Sequence, residues 1–95
     1  MNQSLTVIAR ITVYPDHIVT VRNALLAAVA ASNAEEGCEQ YQLFNEDKTT
    51  HFVIIERWSN EAALVAHTKA PAFSQLSSIL TGRAELEILK LTALS

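Results

Sequence analysis

Along residues 5–13 side chains alternate, with Leu5, Val7, Ala9, Ile11 and Val13 on one side and Thr6, Ile8, Arg10 and Thr12 on the other. That is the period of a strand buried on one face. Tyr14 and Pro15 end the run, and the spacing lengthens. Ile18, Val21, Leu25, Ala28 or Val29, and Ser32 recur every three or four residues, which predicts a long amphipathic helix with Asp16 as its N-cap and Gly37 as its left-handed stop. Alternation returns over 38–46, Tyr41 and Leu43 facing one way and Gln42 and Phe44 the other. Asp47, Lys48 and Thr49 supply a turn before a β-rich run over 51–58, so these two segments predict an antiparallel hairpin. Ser59 is the expected cap of a second helical stretch carrying Ala63, Leu64 and His67. Pro71 breaks that stretch and opens a new helix at its first position, with Phe73, Leu76, Ile79 and Leu80 as its stripe. Gly82 closes it, and a final strand is expected over 84–94.

The order β, α, β, β, α (broken at Pro71), β predicts an α+β fold, the ferredoxin-like split βαβ, with an antiparallel sheet and both helical stretches on one face. The other face then lacks cover. It carries either Phe52, Ile54 and Trp58 or Val53 and Ile55, depending on which way the third strand turns. Length and composition sharpen this point. Residues 1–95 make a single domain, 49% hydrophobic and only 18% charged, which is more apolar material than a small monomer hides. A homodimer formed by sheet-on-sheet contact through the open face is the expectation.

Charge narrows the partners. Seven Lys plus Arg against ten Asp plus Glu give a net charge of -3, with no block of either sign, so a nucleic-acid partner is not expected. The longest apolar run, 24–31, is far short of a membrane span, and the chain opens on a polar Asn2-Gln3-Ser4; a soluble cytoplasmic protein with no membrane contact is expected. A single cysteine, Cys38, rules out an internal disulfide and starts no zinc or iron-sulfur pattern, and it reads as a buried small hydrophobe. No nucleotide motif and no metal site is present in the sequence pattern.

Candidate chemistry concentrates in 36–67. Glu56 and Trp58 lie two apart on a strand and share a face, while His67 lies about two turns into the next helix, beside the inward Ala63 and Leu64. A pocket between helix and sheet would gather imidazole, carboxylate and indole. The imidazole suits proton transfer near neutral pH, the carboxylate suits orienting it, and the indole offers a flat wall to a planar ligand. Each residue also has a plain structural reading: Trp58 as core or interface, His67 as a hydrogen-bonded core histidine, Glu56 as an interface ion-pair partner of Arg57 or Arg10. Arg10 itself reads as an interface ion-pair residue.

The ordered set Glu36-Gly37-Cys38, Tyr41, Ile55-Glu56-Arg57-Trp58-Ser59, Leu64 and His67 resembles the antibiotic biosynthesis monooxygenase family of small dimeric α+β barrel proteins. The opening Leu5-Thr6-Val7-Ile8-Ala9 and the run Glu35-Glu36-Gly37-Cys38 look like its bacterial quinol monooxygenase branch. This resemblance covers nearly the whole chain. It implies a homodimer of ferredoxin-like subunits, each a cofactor-independent monooxygenase in which a small quinol or polycyclic phenol is deprotonated and its anion reduces dioxygen directly. No metal, flavin or haem is then needed. Carried over by position, it implies His67 and Glu56 as catalytic residues, His67 as proton acceptor and Glu56 as its orienter or structural partner. Trp58, Tyr41 and Phe73 are implied as substrate-binding residues.

Two other branches bear on the reading. Haem-degrading members would need an Asn in the first strand, a ligating His in the second helical stretch and a Trp at position 67, where this chain offers Ala9, Ser77 and His67. An isomerase branch acting on a phosphorylated quorum-sensing sugar would need a phosphate cradle, and Arg10, Arg57, Lys69 and Arg83 form no cluster in sequence. Isomerisation, or a non-catalytic dimeric binder of planar small molecules, stand as the alternatives.

Overall fold

The structure is a computed structural model that describes residues 4–95; Asn2 and Gln3 of the polar opening lie outside the described residues. Strand β1 (Leu5–Val13) buries every odd-numbered side chain, as its alternation requires. A 3-10 turn (Pro15–His17) follows before helix α1 (Ile18–Asn33), so Asp16 is not the helix cap. Pro15 fixes the turning backbone one residue before Asp16, which leaves that carboxylate inside the turn and without a capping hydrogen bond. The α1 stripe of Val21, Leu25, Ala28 and Ser32 is buried. The hairpin is β2 (Cys38–Asn45) and β3 (Phe52–Trp58), with Lys48 at positive φ in its turn.

Helix α2 (Glu61–Thr68) is capped by Asn60, whose side-chain oxygen accepts from the Ala63 N–H at 2.9 Å. Ser59 is one residue too early to cap. Its backbone N–H donates to the Gly37 carbonyl at 2.8 Å, one residue beyond the end of β3. Pro71 opens α3 (Pro71–Leu80) at its first position, and β4 (Ala84–Thr92) closes the fold.

The four strands lie in the order β2-β3-β1-β4, every neighbour antiparallel, which is the ferredoxin-like α+β topology. β3 turns Phe52, Ile54, Glu56 and Trp58 toward the helices. The core forms there, against Val21 and Leu25 of α1 and Leu80 of α3. Val53 and Ile55 therefore look the other way, beside Ile8, which pairs with Ile55 on one side and Leu89 on the other. Glu56 is buried on the helix side, so it is no interface partner of an arginine, and Arg10 reaches Glu46 of its own chain at 3.1 Å. A β-bulge interrupts the β2–β3 ladder: Cys38 faces Trp58, Gln40 faces Arg57, and the extra residue Glu39 reverses the alternation so that Tyr41 points inward opposite Glu56.

Candidate active site

His67 is brought to the core by a turn built for close approach. Gly37 adopts φ +83°, and a Cβ there would collide with the Cβ of Ala63 on α2. Only a glycine lets α2 settle against the α1–β2 turn. The imidazole is then buried, its Nδ1 2.8 Å from Oε1 of Glu35 and its Nε2 3.9 Å from Oε1 of Glu56. The first distance is a hydrogen bond and the second is not. The orienting contact expected of Glu56 is thus made by Glu35, from the turn that follows α1.

Glu56 has a different close partner. Its Oε1 accepts from the indole Nε1–H of Trp58 at 2.9 Å. Trp58 is 0% exposed and its ring lies tilted on the imidazole, centroids 4.5 Å apart at 31°. The indole therefore stands behind His67 and gives its stacking face to the histidine, outside the cavity wall where a ligand would sit. Tyr41 and Phe73 meet the same imidazole edge to face, with centroids 5.7 and 5.5 Å away. Three aromatic rings and one carboxylate hold the ring in place.

In front of His67 lies a small cleft that opens to solvent at its mouth. Tyr41, Glu56 and His67 form its polar end. Ala9 and Ile54 form the sheet wall, and Phe73 and Leu76 the α3 wall. Leu86 and Ile88 of β4 frame the mouth and are about half exposed. Mostly apolar walls with a few convergent polar groups are what a small planar ligand requires.

Electrostatics separates the polar groups. Burial pushes the Glu56 carboxyl above its ordinary value, against the pull of the Trp58 hydrogen bond and His67. Burial, and then Glu56, hold the Tyr41 phenol far above its ordinary value, so it stays protonated. Cys38, half-buried, is likewise pushed up by burial and by Glu35, which makes it a poor nucleophile. The buried Ser32 hydroxyl lies near the Tyr41 phenol without a hydrogen bond of good geometry. The imidazole, with a ring nitrogen that makes no hydrogen bond, is the group placed to accept a proton.

The residues singled out from sequence are thus gathered at one place: His67, Glu56, Tyr41 and Phe73 around the cavity and Trp58 behind it. Glu35 was missed, because its partner is 32 residues away and reaches it through the close approach of α2 to Gly37. A Gly two residues after a carboxylate, at a helix end, was the available signal. Glu35 and Glu56 flank the imidazole on opposite sides, and among the described residues no three or more His, Cys, Asp or Glu converge on a metal position. Among the described residues, no helix is long and apolar enough to cross a membrane.

Comparison with known proteins agrees with this architecture. Residues 4–77 match the family model for antibiotic biosynthesis monooxygenase. The chain is 31% identical over 85 residues to the Mycobacterium tuberculosis protein "Putative monooxygenase Rv0793", covering 85% of this chain and 84% of that one. The crystal structure of PA3566 from Pseudomonas aeruginosa superposes with a TM-score of 0.93 at 35% identity, over 100% of this chain and 98% of that one. SnoaB from Streptomyces nogalater, a cofactor-independent oxygenase crystallised as its N63A mutant, shares the fold at a TM-score of 0.85 and 19% identity, over 98% and 95%.

Proposed function

The chain belongs to the antibiotic biosynthesis monooxygenase family, and we propose that it oxidises a small quinol or polycyclic phenol with dioxygen, without a metal, flavin or haem. The observation that carries this reading is a buried imidazole, oriented at Nδ1 by Glu35, forming the polar end of an otherwise apolar cavity. A planar phenol reaches the polar end with its hydroxyl while its ring lies along the apolar walls toward the open mouth. Nε2 of His67 then takes the hydroxyl proton, and the electron-rich anion reduces dioxygen. One oxygen atom joins the ring and the other leaves as water, so a quinol becomes a hydroxyquinone with no outside reductant. The protonated Tyr41 phenol serves as hydrogen-bond donor to the substrate or to the developing oxygen anion. Phe73 walls the ring, and Trp58 acts through His67 and Glu56.

The oxygenase neighbour SnoaB supports cofactor-independent chemistry on this fold. A phosphorylated sugar fits the cavity less well, because no Lys or Arg is among its lining residues. We further propose that residues 1–95 act as one domain in the cytoplasm, and that two copies pair through the open sheet face.

Oxygen uptake by the purified protein, measured over a panel of quinols and polycyclic phenols without added metal or flavin, tests the reading. His67→Ala is expected to lower turnover by about 10²–10⁴-fold. Uptake that survives the substitution unchanged removes His67 as the base. No uptake on any substrate, together with tight binding of planar phenols, makes the protein a binder.

A further inference from the structure

We propose that Glu35 is the positioning residue that fixes the tautomer of His67, holding the proton on Nδ1 so that Nε2 is bare toward the cavity, and that its carboxylate supports the imidazolium formed during turnover. The role in turnover rests on the oxygenase reading above; the tautomer assignment does not.

The backbone of Glu35 is tied on both sides, its N–H donating to the Ser32 carbonyl at 3.1 Å and its carbonyl accepting from the Cys38 N–H at 3.2 Å. A side chain on so fixed a backbone can aim its oxygen reproducibly. Oε1 meets Nδ1 at 2.8 Å. A carboxylate accepts only, so the nitrogen facing it carries the hydrogen. On the other side of the ring, Glu56 at 3.9 Å is too far to hold a proton on Nε2 and already accepts from Trp58. The two nitrogens are therefore unequal. Trp58 beneath the ring and the edge-to-face contacts of Tyr41 and Phe73 prevent the imidazole from turning over to exchange them.

The chemistry needs this inequality. A bare Nε2 accepts the substrate proton as the O–H bond breaks and the N–H bond forms. The cation then lies against the Glu35 carboxylate until Nε2–H gives the proton to the oxygen leaving as water. An imidazole with the reverse tautomer would present an N–H to a hydroxyl and abstract nothing. The Glu35 side chain keeps 21% of its surface, against 4% for His67, so its charge stays partly hydrated and costs less to maintain than a fully buried one.

Long-range ¹H–¹⁵N correlation of the His67 ring, at a pH where the imidazole is neutral, reads the tautomer directly in wild type, Glu35→Gln and Glu35→Ala. The expected result is a protonated Nδ1 in wild type and in Glu35→Gln, whose amide oxygen accepts the same hydrogen, and loss of that preference in Glu35→Ala. Circular dichroism melts separate this from unfolding. With a turnover substrate, kcat of Glu35→Ala falls about 10–100-fold with KM nearly unchanged, and Glu35→Gln lies between because it orients without charge. A proton found on Nε2 in wild type, or a tautomer unmoved in Glu35→Ala, overturns the assignment. Absence of oxygen uptake in wild type would sink the oxygenase reading alone, since the ring nitrogens still report on Glu35.

Discussion

Two glycines each end a helical stretch and lead into a strand in nearly the same conformation, Gly37 at φ +83° and Gly82 at +79°. Their surroundings are opposite. A Cβ on Gly37 would collide with Ala63 and crowd Oγ of Ser59 at 3.0 Å, whereas one on Gly82 would meet nothing within 4 Å. Gly37 stands at the corner where α2 presses on the α1–β2 turn and carries His67 to Glu35. Gly82 leads into β4, an edge strand whose Leu86, Ile88, Leu89 and Leu91 stay substantially exposed. One backbone device thus serves two purposes. At the corner it permits a close approach that builds the site; at the edge it only turns the chain.

Alanine at each glycine separates these purposes. A left-handed conformation costs an L residue about 1–2 kcal/mol, and this is all that Gly82→Ala should lose. Gly37→Ala adds overlap that the backbone must relieve, typically about 1–3 kcal/mol more. Urea unfolding is expected to show the larger loss at Gly37, and His67 should move away from Glu35 with it. Equal losses at the two positions would mean that α2 yields freely, and the corner would no longer explain the site.

A second contrast lies in hydrogen bonds. Trp58→Phe leaves the buried Oε1 of Glu56 without its donor, an expected cost of about 1–3 kcal/mol, and adds the cost of the cavity left by the missing part of the indole. Tyr14→Phe at the edge removes a 3.3 Å contact to Glu85 that water replaces, and no measurable change in stability is expected. Thermal melts of the two variants compare corner and edge. A Trp58→Phe protein as stable as wild type would show that water already reaches Glu56.

Glu56 also ties stability to pH. Burial raises its carboxyl above the ordinary value, so the folded chain binds that proton more tightly than the unfolded chain. Its contribution is complete below the ordinary carboxylate value and is lost as pH rises through the raised folded value. Glu56→Gln keeps an acceptor for Trp58 and removes the charge. The variant should flatten the pH–stability curve in that window and gain stability at neutral pH relative to wild type. A curve unchanged in shape would place the Glu56 charge in contact with solvent.

How much of this was legible depends on how far apart the partners are. The alternation of β1, the stripe of α1 and the start of α3 at Pro71 depend on neighbours in sequence, and the structure has them where the pattern put them. The caps at Asp16 and Ser59 were each misplaced, because Pro15 advanced one turn and Asn60 has the extended backbone that a cap requires. The Glu39 bulge, the position of Trp58 behind His67 and the Glu35 contact were not legible. Each depends on the register and packing of segments that the hydrophobic period leaves free.

The smallest effect on the single chain is expected on the open face, where the largest effect on assembly should appear. Ile55, Ile8 and Leu89 form an apolar row across three strands, and Leu89 is 51% exposed. A charge there meets water in the single chain, so Leu89→Glu should change intrinsic unfolding by about 0.5 kcal/mol or less. In the proposed pair the same charge would be buried against its counterpart, where desolvation and like-charge repulsion oppose association. Sedimentation should then give a dimer for wild type and a monomer for Leu89→Glu. Val19→Glu, at an exposed position on α1, should leave the dimer intact. A Leu89→Glu protein that still dimerises would move the interface to another surface. A monomeric wild type would leave the Ile55, Ile8 and Leu89 row uncovered and overturn the proposed pairing.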